Sequence, residues 1–440
     1  MYNQEEEKLN EYKKMYDHIP ISLEELDEAI MAGFQRAKLE ESRKPIRKKW
    51  MFSFAAAAVI LITFFTSVRL SPAFADYITV IPGMEKIVEL IRYDKGMMSA
   101  IENDYYEKLG VSVEKNGLKL SIDGAIADEE GLVLFYSLTS ETKQKNIMLE
   151  NVDITSRDGE KLDLSTVSYG SSHFSDKGET SYNGRLDIFF EKPYKSRELE
   201  LNVTIKGDTN GEYSIPITLK KDLKAKKIYE LNKTVSIEGQ KITIISATIQ
   251  PLRAAIHVKK DPNNTKKILS FEDLRLVDEN GESWNRNTNG TTATKISENE
   301  EIIYLQSNYF RQPKELYLVF NKLQAIDKNE TSVVVDIENE KILKQPTGNV
   351  LTDVKVDGDN MDFTMVTKEE FPYFIFSGIK DGNGKDIKSE SSYSIMSRGE
   401  GEEKSLGISI PNLQKQKGPI FLELSFFPAW IEGDVKMKID

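Results

Sequence analysis

An uncharged stretch of nineteen residues, 50–68, is the feature that most restricts how this chain can fold. As a helix rising about 1.5 Å per residue it is roughly 28 Å long, which matches a bilayer hydrocarbon core of about 30 Å. Seven Lys/Arg residues lie in 36–49, against two in 69–90. Because positively charged flanks stay inside, this asymmetry predicts one transmembrane helix over 50–68, with the N-terminus cytoplasmic and the C-terminal region extracellular.

A cleaved secretion signal is the alternative interpretation of the same stretch. Ala73-Phe74-Ala75 fits the small-residue pattern at which signal peptides are cut. The uncharged core, however, is longer than the roughly 7–15 residues usual in a signal, and 49 residues precede it. We therefore predict a retained signal anchor in the cell membrane.

The predicted cytoplasmic segment, 1–49, has its strongest helical pattern in residues 21–41. Ser22 and Glu25 form a capping box at its start. Apolar residues then recur at three- and four-residue steps and form one stripe, which comprises Leu23, Leu26, Ile30 and Phe34. Segments this short rarely bury a core by themselves, so the stripe has three possible destinations: a helical hairpin, the inner leaflet of the membrane, or a groove on a cytoplasmic partner. Of these, binding to a partner is predicted, because the acidic first half disfavours an anionic membrane surface. A juxtamembrane helix that only steadies membrane insertion is the alternative.

Residues 69–110 are predicted to be a membrane-proximal helical linker. Apolar spacing indicates one short helix that includes Met84 and Ile91, and a second that begins near Met97. Gly110 ends the helical character. From residue 111 onward, apolar and polar residues alternate between Asn-Gly and Asp-Gly dipeptides, which is typical of half-buried antiparallel strands and their turns.

Two parts of the strand-rich region repeat at an offset of 122 residues. Gly117 and Gly159 fall on Gly239 and Gly281 at this offset, and "NGLKLSI" falls on "EGQKITI". A third, looser copy includes "FPYFIFSGI". The spacing favours related β-sandwich modules of roughly 100–120 residues each.

The predicted fold class is therefore mainly β, with β-sandwich modules outside the membrane, one transmembrane helix and a short N-terminal helical segment. The predicted boundaries are 1–49 for the cytoplasmic helical segment, 50–68 for the transmembrane helix, 69–110 for the linker, 111–224 and 225–345 for two β-sandwich modules, and 346–440 for a β-rich C-terminal module.

Composition narrows the chemistry that is available. The chain has no cysteine, which excludes disulfides, thiolate metal sites and cysteine nucleophiles. Its net charge of −12 argues against nucleic-acid binding. Of the histidines, His18 falls in the cytoplasmic segment, His257 in a predicted strand with a structural role, and His173 in a predicted serine-rich loop.

Two acidic segments, 357–362 and 381–386, hold potential oxygen ligands for Ca²⁺, but neither has the spacing of an EF-hand. Hairpin turns require the same residue types, so turns are predicted. Because no catalytic, cofactor or metal constellation is visible, we expect neither enzymatic activity nor a bound cofactor or metal.

Several segments together resemble a domain-of-unknown-function family of Gram-positive single-pass membrane proteins that are similar to anti-sigma factors. They are "ISLEELDEAIMAGFQRAK", the basic run and anchor, "SPAFADYITVIPG", "YDKGMMSAIEND" and "NGLKLSIDGAIADEEGLVLFYSL". The region from "LNKTVSIEGQKITIISATI" to "LVDENGESW" resembles a companion immunoglobulin-like domain. The resemblance implies tandem immunoglobulin-like modules outside the membrane.

The same resemblance implies a regulator of transcription. Its inner helix would hold an extracytoplasmic-function sigma factor away from RNA polymerase, with the stripe Leu23, Leu26, Ile30 and Phe34 in contact, and its outer modules would sense envelope stress. The chain lacks the His/Cys zinc pattern of the common cytoplasmic anti-sigma domain. The alternative function is an anchored extracellular module that binds a cell-wall polymer or an exported protein without signalling.

Overall fold

The structure is a computed structural model that describes residues 84–170, 172–285, 292–368, 371–396 and 402–439. The predicted cytoplasmic segment, the predicted transmembrane helix and the four predicted partner-binding residues lie outside these ranges. The described part is mainly β, with two α-helices and several sheets. Among the described residues, no helix has the length and apolar character that a bilayer span needs.

The two linker helices are confirmed. They are α1 (Met84–Ile91) and α2 (Lys95–Glu102). The side chain of Asp94 caps α2 by accepting a hydrogen bond from the Met97 amide at 3.0 Å. The linker ends earlier than predicted, because strand β1 (Glu107–Lys115) already contains Gly110. Gly110 has a φ of +64° beside an irregularity in strand pairing, so it serves a bulge within the strand instead of ending a helix.

The first module comprises β1 and six further strands. These are β2 (Leu118–Ala127), β3 (Gly131–Ser156), β4 (Leu164–Tyr169), β5 (Ser172–Phe190), β6 (Glu198–Gly207) and β7 (Gly211–Thr218). All seven belong to one hydrogen-bonded sheet in the order β1-β2-β3-β5-β4, and β6 pairs with both β3 and β7.

The 26-residue strand β3 explains why this module is one sheet and not two. Its first half pairs with β2 and β5, and its last ten residues pair with β6. The sheet thus curves around a single apolar core. At the far side, the Tyr213 hydroxyl of β7 donates to the carbonyls of Lys115 and Leu118, which brings β7 against the β1–β2 hairpin.

The second module has two sheets. One contains β8 (Lys227–Ile237), β9 (Gln240–Ile249), β10 (Ala254–Lys260), β14 (Ala293–Ser297) and β15 (Glu300–Leu305). The other contains β11 (Lys266–Phe271), β12 (Arg275–Asp278), β13 (Ser283–Trp284), β16 (Leu316–Asp327) and the last strand of the chain, β26 (Trp430–Lys438). Both sheets contribute to one core, in which Trp284, Phe271 and Phe320 are buried.

The 122-residue repeat corresponds to a shared strand order. The order β14-β15-β10-β9-β8 in the second module matches β4-β5-β3-β2-β1 in the first. The β1–β2 and β8–β9 hairpins turn at Gly117 and Gly239, with φ values of +73° and +78°. The aligned residues Leu134 and Ile256 are both fully buried.

The third module also has two sheets around one core. One sheet contains β17 (Ser332–Asp336), β18 (Lys341–Lys344), β21 (Phe376–Lys380), β22 (Asp386–Ile387) and β25 (Ile420–Leu424). The other contains β19 (Leu351–Asp357), β20 (Asn360–Thr367), β23 (Ser391–Met396) and β24 (Glu402–Ser409). Here β20 pairs with β24 and not with the next strand along the chain, so the order differs from that of the other two modules.

The module boundaries differ from the predicted break at 345/346. Strands β17 and β18 lie in the third module, because β17 pairs with β25. Conversely β26 returns to the second module and pairs with β16. Alternation within a strand does not specify its partner, so the sequence pattern alone does not show how these strands pair.

Candidate functional site

The two helices occupy the joint between the first and second modules, and together with their connection we call residues 84–102 the linker hairpin. Its apolar residues share one cluster with side chains on the outer face of the first module, including Val133, Phe135 and Phe189. Leu252 of the second module completes that cluster. The linker hairpin is therefore packed against both modules.

Equivalent turns of the two modules meet in this joint. The β2–β3 turn, 128–131, and the β9–β10 turn, 250–253, lie 122 residues apart. Each is closed by a 2.9 Å hydrogen bond from the amide of its first residue to the carbonyl of its fourth. The Leu252 amide donates to the Asp128 carboxylate at 3.0 Å, and the Gln250 side-chain amide donates to Glu130 at 2.7 Å.

Arg253 joins the modules through its flat guanidinium group. The group lies 3.8 Å from the ring centre of Phe189 in the first module and 3.8 Å from that of Tyr304 in the second. Only 5% of the residue is exposed. A desolvated cation between two aromatic faces is attracted to both of them, so Arg253 ties one module to the other.

The second module also holds α2 directly. The Lys95 ammonium donates to the Ser283 carbonyl at 3.0 Å, and the Gln306 side chain donates to the Tyr93 carbonyl at 3.0 Å. At the other end of α2, Glu102 forms a 3.0 Å ion pair with Arg311. These polar contacts fix both ends of the helix against β13 and the segment that follows β15.

Gly96 allows α2 to approach the backbone of the second module closely. A Cβ at this position would lie 2.7 Å from the Ser307 amide nitrogen and 2.9 Å from its carbonyl oxygen. Real Cβ atoms do not come so near to a backbone, so only glycine permits this contact without displacing Ser307.

Three carboxyl groups are buried in and around the joint. Burial raises the pKa of Asp128 to about 6, in spite of its two backbone hydrogen bonds and the nearby Arg253. Burial likewise raises the pKa of Asp187 to about 6, although its carboxylate lies 3.1 Å from Arg185. The pKa of Asp94 is also raised by burial. The joint thus contains groups whose charge changes in mildly acidic solution.

A pocket of about 190 Å³ lies between α1 and the outer face of the first module. Met84, Ile87 and Phe135 contribute apolar wall, and Lys108 and Asp123 are among its polar groups. Its volume is below the range of roughly 300–1,000 Å³ that is usual for small-molecule sites. The pocket marks a place where α1 is incompletely packed against the sheet.

Two histidines that the sequence offered as candidate functional residues, His173 and His257, lie in strands of the sheets. His173 lies in β5, and not in a serine-rich loop, with its Nε2 3.2 Å from the Tyr136 hydroxyl. His257 lies in β10, and its Nε2 is 2.8 Å from the Glu300 carboxylate.

The two acidic segments form turns, as predicted. Gly358 has a φ of +61° between β19 and β20, and the Asp381 carboxylate accepts hydrogen bonds from two backbone amides of its own turn. In the described ranges, no group of three His, Asp or Glu side chains could hold a metal ion.

The joint residues were not identified from the sequence. Asp128 and Arg253 lie in short turns whose composition resembles that of any exposed turn, and their burial arises only when the modules pack together. One signal was available, because the 122-residue offset places Asp128 on Gln250 and Gly131 on Arg253. Polar contacts of the joint come from these two equivalent turns.

Two regions of the chain match families whose functions are not established. Residues 46–140 match the family described as a domain of unknown function (DUF4179). Residues 226–345 match a family of unknown function (DUF5643). The first match runs from the predicted anchor through the linker hairpin into β3, and the second covers most of the second module. No curated protein matches the chain.

Among solved structures, the chain is similar to the conserved domain protein from Bacillus anthracis. The two are 17% identical, and the likeness covers 54% of this chain and 84% of the other. The TM-score is 0.38, so the two structures correspond only loosely.

Proposed function

We propose that this protein is a single-pass membrane regulator resembling an anti-sigma factor. Its inner helix binds a cytoplasmic partner, for which an extracytoplasmic-function sigma factor is the candidate, and its outer β-rich region is the sensor. The observation that carries the proposal is the match of residues 46–140 to DUF4179, the family that is anti-sigma-factor-like. That match includes the predicted anchor and the linker hairpin.

The position of the linker hairpin supports the sensor half of the proposal. The predicted anchor ends at residue 68, and α1 begins at Met84. A sensor outside the membrane needs a physical connection to the segment that crosses it. Because the linker hairpin is packed between two modules, a change in how they contact each other alters the packing of the helices nearest the anchor.

The test is capture of the partner by the full-length chain. Wild-type protein is expected to retain a sigma factor, identified by mass spectrometry, and the double variant Leu26→Asp/Ile30→Asp to retain at least about tenfold less. Burying an unpaired carboxylate costs more than the roughly 1.4 kcal/mol that a tenfold loss represents. The matched control is Ala32→Asp/Gln35→Asp, which adds the same charge to the opposite face of the predicted helix.

Equal capture by both double variants, or capture of no sigma factor by the wild type, would contradict the proposal. The alternative function, an anchored extracellular module that binds a cell-wall polymer or an exported protein, would then be favoured. It predicts that the chain co-sediments with purified cell wall, and that deletion of residues 5–40 changes only membrane insertion.

A further inference from the structure

We propose that the linker hairpin is a conformational coupling element, in which α2 stays docked only while the first and second modules remain in contact. Separation of the modules would release α2 and alter the chain that leads toward the predicted anchor. The inference deepens the proposed function and rests on it for the consequence inside the cell. The coupling itself concerns only the described residues.

The first step of the argument is that α2 cannot persist without both modules. A helix of eight residues is well below the roughly 12–15 at which isolated helices become marginally stable in water, so α2 depends on docking. Its apolar side packs on the first module, while Lys95 and Glu102 bind the second. Separation from the first module removes the apolar contacts of α2, and separation from the second removes its polar contacts.

The second step is that the contact between the modules has the character of a reversible interface. Apart from Leu252 and the rings of Phe189 and Tyr304, the contact is made by polar residues, which include Asp128, Glu130, Gln250 and Arg253. The Arg253 Nε has no hydrogen-bond partner within the described residues. Buried polar groups with incomplete pairing are costly, and contacts of this kind between domains open more readily than an apolar core.

The third step is that residues in the contact between the two modules also contact the linker hairpin. Leu252 belongs to the apolar cluster of the linker hairpin, and its amide binds Asp128 of the first module. Ser307 touches Gly96 of α2, and its hydroxyl donates to the carbonyl of Gln250. Movement of the 250–253 turn therefore displaces groups that contact α2, so the two equilibria are linked.

Amide hydrogen exchange on the full chain tests the coupling. Arg253→Ala removes the link between Phe189 and Tyr304 and leaves the sequence of the linker hairpin unchanged. We expect exchange in Lys95–Glu102 to become at least about tenfold faster, together with exchange in 250–254. Arg275→Ala is the matched control, because Arg275 pairs with Asp273 within the second module. It should leave α2 at the wild-type rate.

A second experiment tests whether weakening the attachment of α2 loosens the contact between the modules. Glu102→Arg breaks the ion pair with Arg311 and should accelerate exchange in 250–254, because coupling between two sites is reciprocal. The double variant Glu102→Arg/Arg311→Glu restores the pair with its charges exchanged and should restore the slow rates. This rescue separates loss of coupling from general loss of structure.

The coupling is wrong if Arg253→Ala accelerates exchange only in the two turns while α2 keeps its wild-type protection. If Arg253→Ala does not fold, Arg253→Lys is the milder variant, since it keeps the charge and loses the flat stack on both rings. These measurements do not involve the cytoplasmic partner. A failed capture experiment with intact coupling therefore rejects the proposed function alone, and the converse result rejects the coupling alone.

Discussion

At the scale of single residues, Gly124 shows how an absent side chain positions the start of the first module. The Tyr106 hydroxyl occupies the space that a Cβ at 124 would fill. Tyr106 is buried and its ring lies 5.9 Å from that of Phe135, within the apolar cluster of the linker hairpin. Gly124 thus lets an aromatic residue cross the outer face of β2 and join the helices to the sheet.

Gly124→Ala is therefore expected to destabilise the protein by about 1–3 kcal/mol, because Tyr106 must leave its place. Gly170→Ala is the control, since no heavy atom of the described residues other than its chain neighbours lies within 4 Å of a Cβ at that position, and its backbone φ is not positive. The control should change stability by less than about 1 kcal/mol, in the stabilising direction. Urea denaturation followed by circular dichroism measures both. Equal effects of the two changes would contradict the role assigned to Gly124.

Asp128 gives the joint a dependence on pH whose sign follows from its pKa. Burial raises the pKa of this carboxyl from 3.8 to about 6, against the opposing effects of Arg253 and two backbone amides and with a smaller contribution from Glu130. The folded protein therefore binds the proton more tightly than the unfolded chain does. A stabilising contribution is present below the unfolded pKa and is lost as pH rises through about 6.

Acidification from about pH 7 to about pH 5 should accordingly add roughly 1 kcal/mol to the free energy of unfolding through Asp128. In Asp128→Asn, a neutral residue of the same shape, this increment should be missing, while the increment from Asp187 remains. Urea unfolding of both proteins at the two pH values measures the difference. If the variant gains as much stability on acidification as the wild type, Asp128 is not the group that titrates.

At the scale of elements, α2 begins at a cap that is also a buried acid. The Asp94 carboxylate accepts the Met97 amide, and burial raises its pKa although Arg185 lies nearby. The cap stabilises the helix, while the buried charge opposes that effect. Replacement of the acid by its amide separates these two contributions.

Asp94→Asn keeps an oxygen that can accept the Met97 amide and removes the charge, so near pH 7 it should be at least as stable as the wild type. Asp94→Ala removes the acceptor as well and should be about 1 kcal/mol less stable than Asp94→Asn. Thermal unfolding compares the two variants. Indistinguishable variants would show that the cap contributes nothing to the docked helix.

The elements themselves could largely be predicted from the sequence, whereas their assembly could not. Apolar spacing identified both linker helices, and alternation at Leu118, Leu120 and Ile122 identified β2, because these signals are local. Pairing of β26 with β16 joins residues more than a hundred positions apart, and no local pattern encodes it. The same holds for Arg253, whose partners Phe189 and Tyr304 come from different modules.

At the scale of the whole molecule, the third module is inserted into a hairpin of the second. In the first module β6 is followed after three residues by β7, its antiparallel partner. In the second module β16 takes the place of β6, and β26 takes the place of β7, but the third module lies between them in the chain. The two ends of this insertion are adjacent, since the Ala325 amide donates to the Ala429 carbonyl at 2.9 Å.

Because of this topology, two deletions that remove similar lengths of chain should have opposite effects on the folding of the second module. Replacement of residues 326–428 by a turn of about three residues should leave the first and second modules folded, because β16 and β26 can then form a direct hairpin like that of β6 and β7. Truncation after residue 331 removes β26 as well, and with it the buried side chains of Ile431, Val435 and Met437. At about 2 kcal/mol or more for each buried side chain, that loss should unfold the second module.

Tryptophan fluorescence reports the outcome once Trp430, which packs against the third module, is replaced by Phe. Among the described residues Trp284 is then the remaining tryptophan, and it is buried in the second module. The excised protein should keep the emission of buried Trp284 and a cooperative unfolding transition, and the truncated protein should lose both. Arg253→Ala in the excised protein should still accelerate exchange in α2, since the joint lies wholly within the two retained modules. An excised protein as unfolded as the truncated one would mean that the third module is a structural part of the second and not an insertion.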